Sequence, residues 1–282
     1  MKNAKPLPPI ADKHSHAYLL GINQTELERL RFQHGVWREN TDSFLDRLKI
    51  KKGWKCLDVG AGPGFVSMDL RERVGSPGEV AALEPSEFYL EWLAQQARRK
   101  HWKNVKTIQG TAETAHLAKN TFNLIFVRWV IAFVPDPVRF LAPLIDSLKP
   151  GGIIALMDYW YEGLSLYPQG GAFDNAADVV RKYYRSGGGD PYVTGKIPEM
   201  LRARKLRITD FRPTQIAGGP DSEIIEWAHR FFIPHFPLMA DKGNCSTEEA
   251  EAMANDWVAH RKNRNTIFFS PIVIHVAGRK PG

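Results

Sequence analysis

The stretch Cys56-Leu57-Asp58-Val59-Gly60-Ala61-Gly62-Pro63-Gly64-Phe65 constrains this chain more than any other. A short apolar run ends in an acid and then in glycines spaced G-x-G-x-G, and a helical pattern follows at once. The spacing predicts a strand whose C-terminal end turns sharply into a helix. Glycine allows positive φ and lets a ligand approach the main chain closely. Ligands of α/β sheets bind outside the carboxyl ends of the strands. On its own the turn also suits a tight strand–helix junction with no ligand. Glu84 narrows the choice, because it ends the next apolar run about twenty residues on, where an acid accepts hydrogen bonds from ribose hydroxyls. A dinucleotide fingerprint G-x-G-x-x-G would need glycine where Phe65 stands, and no G-x-x-x-x-G-K-[ST] loop occurs.

From Trp54 onward short apolar runs alternate with amphipathic segments. The runs fall at 55–59, 79–83, 105–109, 122–128 and 153–158, with helical patterns at 64–73, 86–101 and 137–148. Alternation of this kind implies right-handed crossovers and a parallel sheet with helices on both faces. Lys149-Pro150-Gly151-Gly152 reads as a helix stop before the fifth strand. Upstream, Thr25 with Glu28 reads as a capping box, opening a helix with Leu30, Gln33 and Trp37 on one face.

After Asp158 the pattern loosens. Helices are expected at 173–184, 197–205, 222–232 and 246–263, the last with its own box of Ser246 and Glu249, and strands at 206–216 and 268–277. The added helices have no place in a minimal sheet, so a cap above the ligand edge is expected. Four segments result: an N-terminal helical lid (1–50), a cofactor-binding core (51–158), a helical cap insertion (159–205), and the remaining strands (206–282) with a second cap insertion at about 220–263.

The chain has 282 residues, 43% of them hydrophobic, enough for one large domain with a buried core. Its formal charge of +7 comes from small basic groups interleaved with acids. That describes a solvated basic surface better than a nucleic-acid footprint, which clusters on one face. Cys56 and Cys245 make neither a disulfide framework nor a zinc site, so no metal is expected. Met1–Pro9 has no long apolar stretch of the signal-peptide kind, and no run reaches the length of a membrane span. A cytoplasmic protein is expected.

At this point the chain resembles the class I S-adenosylmethionine-dependent methyltransferases. The core carries their motif series in order: Asp58 to Gly64, Glu84, Gly110-Thr111-Ala112-Glu113, Phe122-Asn123-Leu124-Ile125-Phe126 and Leu148-Lys149-Pro150-Gly151-Gly152. Tyr18-Leu19-Leu20-Gly21 with Glu26, Arg29-Leu30 and Gln33, and Phe268-Phe269-Ser270-Pro271 ending in Gly278-Arg279-Lys280, are similar to the bacterial small-molecule subgroup. The resemblance implies a Rossmann-like, seven-stranded, mostly parallel sheet with the last strand antiparallel. It also implies S-adenosyl-L-methionine as cofactor. Asp58, Gly60, Ala61, Gly62 and Gly64 would surround the methionine end, Glu84 the ribose, and Thr111, Ala112 and Glu113 the adenine. Arg128 and Trp129 would border the sulfonium, and Tyr18 and Gln33 would close over it. The family often has Asp at the position of Thr111 and His at that of Phe133, so neither an adenine-binding Asp nor a base is carried over there.

Methyl transfer is an in-line displacement in which orientation provides much of the acceleration. A general base is needed only where the acceptor must lose a proton. Candidates are His34, Asp158, His229 and His235, with Asp158 best placed at a strand end; each also suits a purely structural role. Tyr159-Trp160-Tyr161, Tyr183-Tyr184 and Trp227 with Phe231-Phe232 suggest an apolar pocket. Acceptor contacts are expected from His34, Trp160, Tyr161, Tyr184, Phe231 and His235. The partner is then a small, aromatic or hydrophobic metabolite, with neither membrane nor nucleic acid required and a homodimer allowed. Two other readings stand beside this one. An RNA or protein methyltransferase would suit the basic charge, although Val127-Arg128-Trp129-Val130 is not the Pro-Pro-aromatic tetrapeptide of base-amino methylation and no Pro-Cys nucleophile occurs. A non-catalytic, cofactor-binding regulator is the other, since fold does not fix function.

Overall fold

Strand β1 (Lys55–Val59) is buried along almost its whole length, as its unbroken apolar run requires of a central parallel strand. In the computed structural model, which describes residues 23–282, β1 pairs in parallel with β2 (Glu79–Glu84) and β4 (Phe122–Arg128). Beyond them lie β3 (Val105–Gln109) on one side and β5 (Leu148–Trp160) on the other, also parallel. β6 (Ser165–Tyr167) leaves this sheet, and β7 (Arg207–Thr214) forms its far edge. β8 (Ala217–Gly218) and β9 (Ile267–Phe269) join β6 in a second, three-stranded sheet. These strands are too short to carry a visible period. β10 (Ile272–Arg279) inserts between β5 and β7, antiparallel to both, so the main sheet runs β3-β2-β1-β4-β5-β10-β7. This is the seven-stranded, mostly parallel arrangement with an antiparallel last strand.

Helix α1 (Gln24–Val36) starts earlier than the Thr25–Glu28 box suggests. Asn23 is its N-cap, accepting from the Glu26 N–H at 2.9 Å, and Thr25 lies inside the first turn. Asn-x-x-Glu offers the same capping geometry as Thr-x-x-Glu two residues upstream, and Asn is at least as good a cap. α2 (Arg38–Arg47) follows almost without a break. Its Phe44 ring stacks on His275 (4.6 Å) and tilts against Phe126 (5.8 Å), so α2 covers β4 and β10. α3 (Phe65–Val74) and α4 (Glu87–Arg99) follow β1 and β2, and α5 (Pro137–Ser147) precedes β5.

The segment after β5 holds α6 (Ala176–Ser186) and α7 (Val193–Ala203), the latter packed on β5, β7 and β10. α8 (Glu223–Asp241) and α9 (Thr247–His260) pack against each other. α8 does not stop at Phe232; it runs on through Pro234 and Pro237. A proline inside a helix costs about 3 kcal/mol. Phe236 and Met239, fully buried beyond the first proline, offset that loss. Rings of Phe173, Phe232, Phe236, Trp257 and Phe268 interlock at 4.9–6.4 Å and form the core of this helical layer. The capping box of α9 forms as expected: the Glu249 N–H donates to Ser246 Oγ (3.1 Å) and the Ser246 N–H to Glu249 Oε2 (2.8 Å). Ser246→Ala is expected to cost about 1 kcal/mol, a drop of about 2–4 °C in Tm measurable by scanning calorimetry.

Many basic residues are ion-paired, among them Arg47 with Asp210, Arg73 with Asp42, and Lys55 and Lys106 with Glu79. Among the described residues no helix is long and apolar enough to cross a membrane.

Candidate functional site

The turn from β1 to α3 is built from glycines in the left-handed region, Gly60 at φ +63° and Gly62 at φ +53°. They serve different purposes. A Cβ at Gly60 would run into Val130, whereas one at Gly62 would meet open space. Gly62 therefore presents bare main chain to a free side of the loop. Its N–H donates to Glu84 Oε2 at 2.9 Å, and the Ser86 N–H donates to Oε1 at 3.0 Å. Glu84 is 8% exposed, and burial raises its carboxyl above the ordinary range. A carboxylate has about four lone-pair positions. The two backbone donors take one on each oxygen and leave one on each for a diol. The loop after β3 hangs from the same residue, through the Gly110 N–H on the Glu84 carbonyl (3.2 Å). In that loop Thr111 turns onto Thr114, the Ala112 side chain is buried and Glu113 is exposed. Ala61 donates its N–H to the Leu83 carbonyl, and the Gly64 N–H closes the turn onto Ala61.

Beneath the turn lies a buried charged group of residues. Asp58, 2% exposed, accepts from Ser67 Oγ at 2.6 Å, pinning the first turn of α3 to β1. Burial pushes its carboxyl up to about 7. Arg128, at the end of β4, donates to Thr41 Oγ1 (3.0 Å) and His34 Nδ1 (3.2 Å). Among the described residues no carboxylate lies within 4 Å of it. Its guanidinium is lowered to about 10 by burial, with Asp58 and Asp69 opposing. Arginine only donates, so His34 Nδ1 accepts and its proton resides on Nε2, 3.4 Å from Asp69 Oδ2. Burial, then Arg128 and Arg38, lowers His34 to about 3, and its ring lies on Phe65 at 5.4 Å. The expected role of His34 as a base is corrected here. The Nδ1 lone pair is spent on Arg128 and Nε2 carries the proton facing Asp69, so the residue ties α1 to β4 and α3 rather than offering a free lone pair.

A row of aromatic rings crosses the carboxyl ends of β4 and β5. Trp129 sits at φ +56°, a sparse region for a bulky side chain that is held only where its surroundings over-determine it. Its ring stacks on Tyr159 (5.9 Å, 10°) and meets Trp37 edge-on (6.0 Å). Trp37 meets Trp227 of α8 (5.7 Å). On the other side the row continues through Tyr161 (5.5 Å) and Tyr184 (5.0 Å) to Phe133 (4.7 Å). The indole nitrogen of Trp129 is buried without a hydrogen-bond partner among the described residues. Beside the row, Arg29 makes two 2.7 Å contacts with Glu26 and a 3.0 Å bond to Gln33 Oε1, which also accepts from Trp227 Nε1 (3.0 Å). Both partners of Oε1 can only donate, which settles the orientation of the Gln33 amide.

Two further expectations are corrected. Asp158 accepts the backbone N–H of Tyr159 (2.8 Å) and of Ala132 (3.2 Å), so it anchors the turn after β4 rather than facing a ligand. Trp160 does not join the row. Strand alternation sends Tyr159 and Tyr161 to one face and Trp160 to the other, where it meets Tyr192 (5.0 Å) and Gly195 of α7. Phe231 and His235 stack on one another at 4.5 Å in α8, while His229 accepts from Trp257 Nε1 (3.2 Å) at the α8–α9 contact. Tyr18 lies outside the described residues. Trp37 and Thr41 were not singled out from the sequence as site residues, and Tyr159 was named only within its aromatic run. The period of β5 alone could have found Tyr159; nothing local marks Thr41.

Comparison with known proteins agrees with this geometry. Residues 50–183 match a family model described as a methyltransferase domain. A demethylmenaquinone methyltransferase of Geobacillus sp. (strain WCH70) is 32% identical over 126 residues, 45% of this chain and 53% of that one. One of Lactococcus lactis subsp. lactis (strain IL1403) is 30% identical over 137 residues, 49% and 53%. The chain thus spans about half the length of the curated relatives it matches. Among solved structures, the YcgJ protein of Bacillus subtilis superposes with a TM-score of 0.59 at 20% identity, covering 84% of this chain and 97% of that one. A geranyl diphosphate C-methyltransferase of Streptomyces coelicolor A3(2) does so at 0.55 and 12% identity, covering 88% and 77%. At these identities the superpositions speak to the fold.

Proposed function

We propose that this chain, whose residues 50–183 match a methyltransferase-domain model, is a class I S-adenosylmethionine-dependent methyltransferase that transfers the donor's methyl group to oxygen, nitrogen or carbon of a small aromatic or hydrophobic metabolite. The observation that carries the reading is the pairing of Gly62 with Glu84: open main chain beside a buried carboxylate with a lone pair left on each oxygen. That fits a nucleoside diol next to an amino-acid end. The bound donor supplies a methyl group already activated on a sulfonium. Glu84 would hold the ribose hydroxyls, the Gly60–Gly64 main chain the amino-acid end, and residues 110–113 the base. Arg128, a half-buried cation with no carboxylate within 4 Å among the described residues, would meet the donor's carboxylate, which fits it better than the cationic sulfonium. Trp129, Tyr159, Tyr161 and Tyr184 would exclude water and orient a flat acceptor.

The acceptor class is supported by the aromatic row and by curated relatives named as demethylmenaquinone methyltransferases. Calorimetry with S-adenosylmethionine, followed by a panel of phenols, amines and quinols scored for S-adenosylhomocysteine, tests the reading. Micromolar binding and turnover of at least one aromatic acceptor are expected. A chain that does not bind the donor would remove the reading altogether.

A further inference from the structure

Among the four proton-accepting candidates, three have their lone pairs occupied. His34 accepts from Arg128, Asp158 from the backbone N–H groups of Tyr159, Ala132, Val130 and Ile131, and His229 from the Trp257 indole. His235 differs. Its Nδ1 lies 2.6 Å from the Phe231 carbonyl oxygen. A carbonyl can only accept, so Nδ1 carries the proton and Nε2 is left as a bare lone pair. Nε2 is buried and has no hydrogen-bond partner among the described residues, in a side chain 4% exposed overall. A buried acceptor left unsatisfied costs about 1–3 kcal/mol, so an unpartnered one calls for a use.

The position of His235 agrees with such a use. Phe231 stacks beneath its ring, and one turn before Phe231 the Trp227 indole bonds Gln33 and packs on Trp37, which adjoins Trp129 at the end of β4. The positive field of Arg29 on α1 acts on both His235 of α8 and the Tyr159 hydroxyl at the end of β5. Burial first, then Arg29 against the pull of the Phe231 hydrogen bond, lowers the imidazole to about 4. It is therefore neutral, with its lone pair free, at neutral pH.

Granted the methyltransferase activity proposed above, we infer that His235 is a catalytic residue whose Nε2 receives the proton of a hydroxyl acceptor during methyl transfer. The acceptor oxygen's lone pair forms the new bond to the methyl carbon while the carbon–sulfur bond breaks and its electron pair stays on sulfur. The O–H electron pair stays on oxygen and the proton passes to Nε2. The resulting imidazolium releases that proton to water as the ether leaves. A weakly basic imidazole suffices, because the hydroxyl becomes strongly acidic only as its oxygen takes the methyl group. An acceptor methylated on carbon without an O–H facing Nε2 would have no such partner.

The test uses the full chain labelled with 15N-histidine, saturated with S-adenosylhomocysteine and titrated with 1-naphthol, alongside turnover of S-adenosylmethionine with the same phenol. The unprotonated Nε2 resonance of His235 is expected to move as it accepts the phenol O–H. His235→Gln is expected to lower kcat roughly 10²-fold while the Kd for S-adenosylmethionine stays within about twofold of the parent. His235→Phe, which keeps the stack on Phe231, should lose turnover equally and serves as the folding control. An Nε2 resonance unmoved by 1-naphthol, or either variant turning over as fast as the parent, would overturn the role. A parent that binds the donor but methylates nothing would sink the methyltransferase activity instead, while the resonance reports the hydrogen bond by itself.

Discussion

Replacing Glu84 by alanine is expected to weaken S-adenosylmethionine binding by roughly two to three orders of magnitude, the loss of two hydrogen bonds to a charged acceptor at about 2 kcal/mol each. Calorimetry on the purified variant measures it directly. The fold should survive, because Glu84 otherwise holds only the N–H groups of Gly62 and Ser86, at the rim of the sheet. Those donors face the ligand side or the first turn of α4, where water can replace the carboxylate. Glu84→Gln should lose less, since its amide oxygen still accepts one hydroxyl and can keep one of the two loop contacts. Unchanged donor affinity in Glu84→Ala, with circular dichroism like the parent's, would show that the ribose is held elsewhere.

Asp158 governs the second large effect, and it concerns stability rather than binding. Burial raises its carboxyl from 3.8 to about 7, against the backbone donors that lower it. The folded chain therefore holds a proton that the unfolded chain has lost between pH 4 and 7. The resulting stabilisation is full below the unfolded value near 4 and disappears as pH rises through the folded value near 7. Asp158→Asn keeps a neutral acceptor for only one of the N–H groups of Tyr159 and Ala132, a loss that does not vary with pH, and has nothing to titrate. The stability difference between parent and variant should therefore shift in the parent's favour by up to tenfold in the folding constant per pH unit from pH 7 down to 4. That totals on the order of 4 kcal/mol. Other titrating groups are common to both proteins and cancel in the difference. Urea unfolding of the two at pH 4.5, 6 and 7.5 measures it, and parallel pH profiles would mean that Asp158 is ionised throughout.

Much of the donor side of the site was readable from residues 56–84, because its chemistry is carried by main chain and strand ends. A glycine turn after an apolar run, and an acid at the end of the next run, are local signals with a local cause. The corrections share a different cause. Asn23 displaced Thr25 as the N-cap because two overlapping cap patterns compete and tertiary context chooses between them. α8 continued past Phe232 because Phe236 and Met239 found a core to enter, which no propensity of proline reveals. Trp160 was grouped with its neighbours in the Tyr-Trp-Tyr run, but the pleat of β5 separates them.

The acceptor side was legible only as a list of residue types. His34, Asp158, His229 and His235 look equally able to take a proton in one dimension. What distinguishes them is which lone pairs remain free, and their occupants come from far along the chain: Arg128 is 94 residues from His34, and Trp257 is 28 from His229. Gln33 is oriented by Trp227, 194 residues away. The sequence by itself thus determined the order of strands and helices, the glycine turn and the acid beside it, because backbone conformation and hydrophobic period are properties of neighbouring residues. Only the tertiary structure decided which side chains are spent on the fold and which are left for chemistry, because a hydrogen bond is used up by whatever partner packing brings to it.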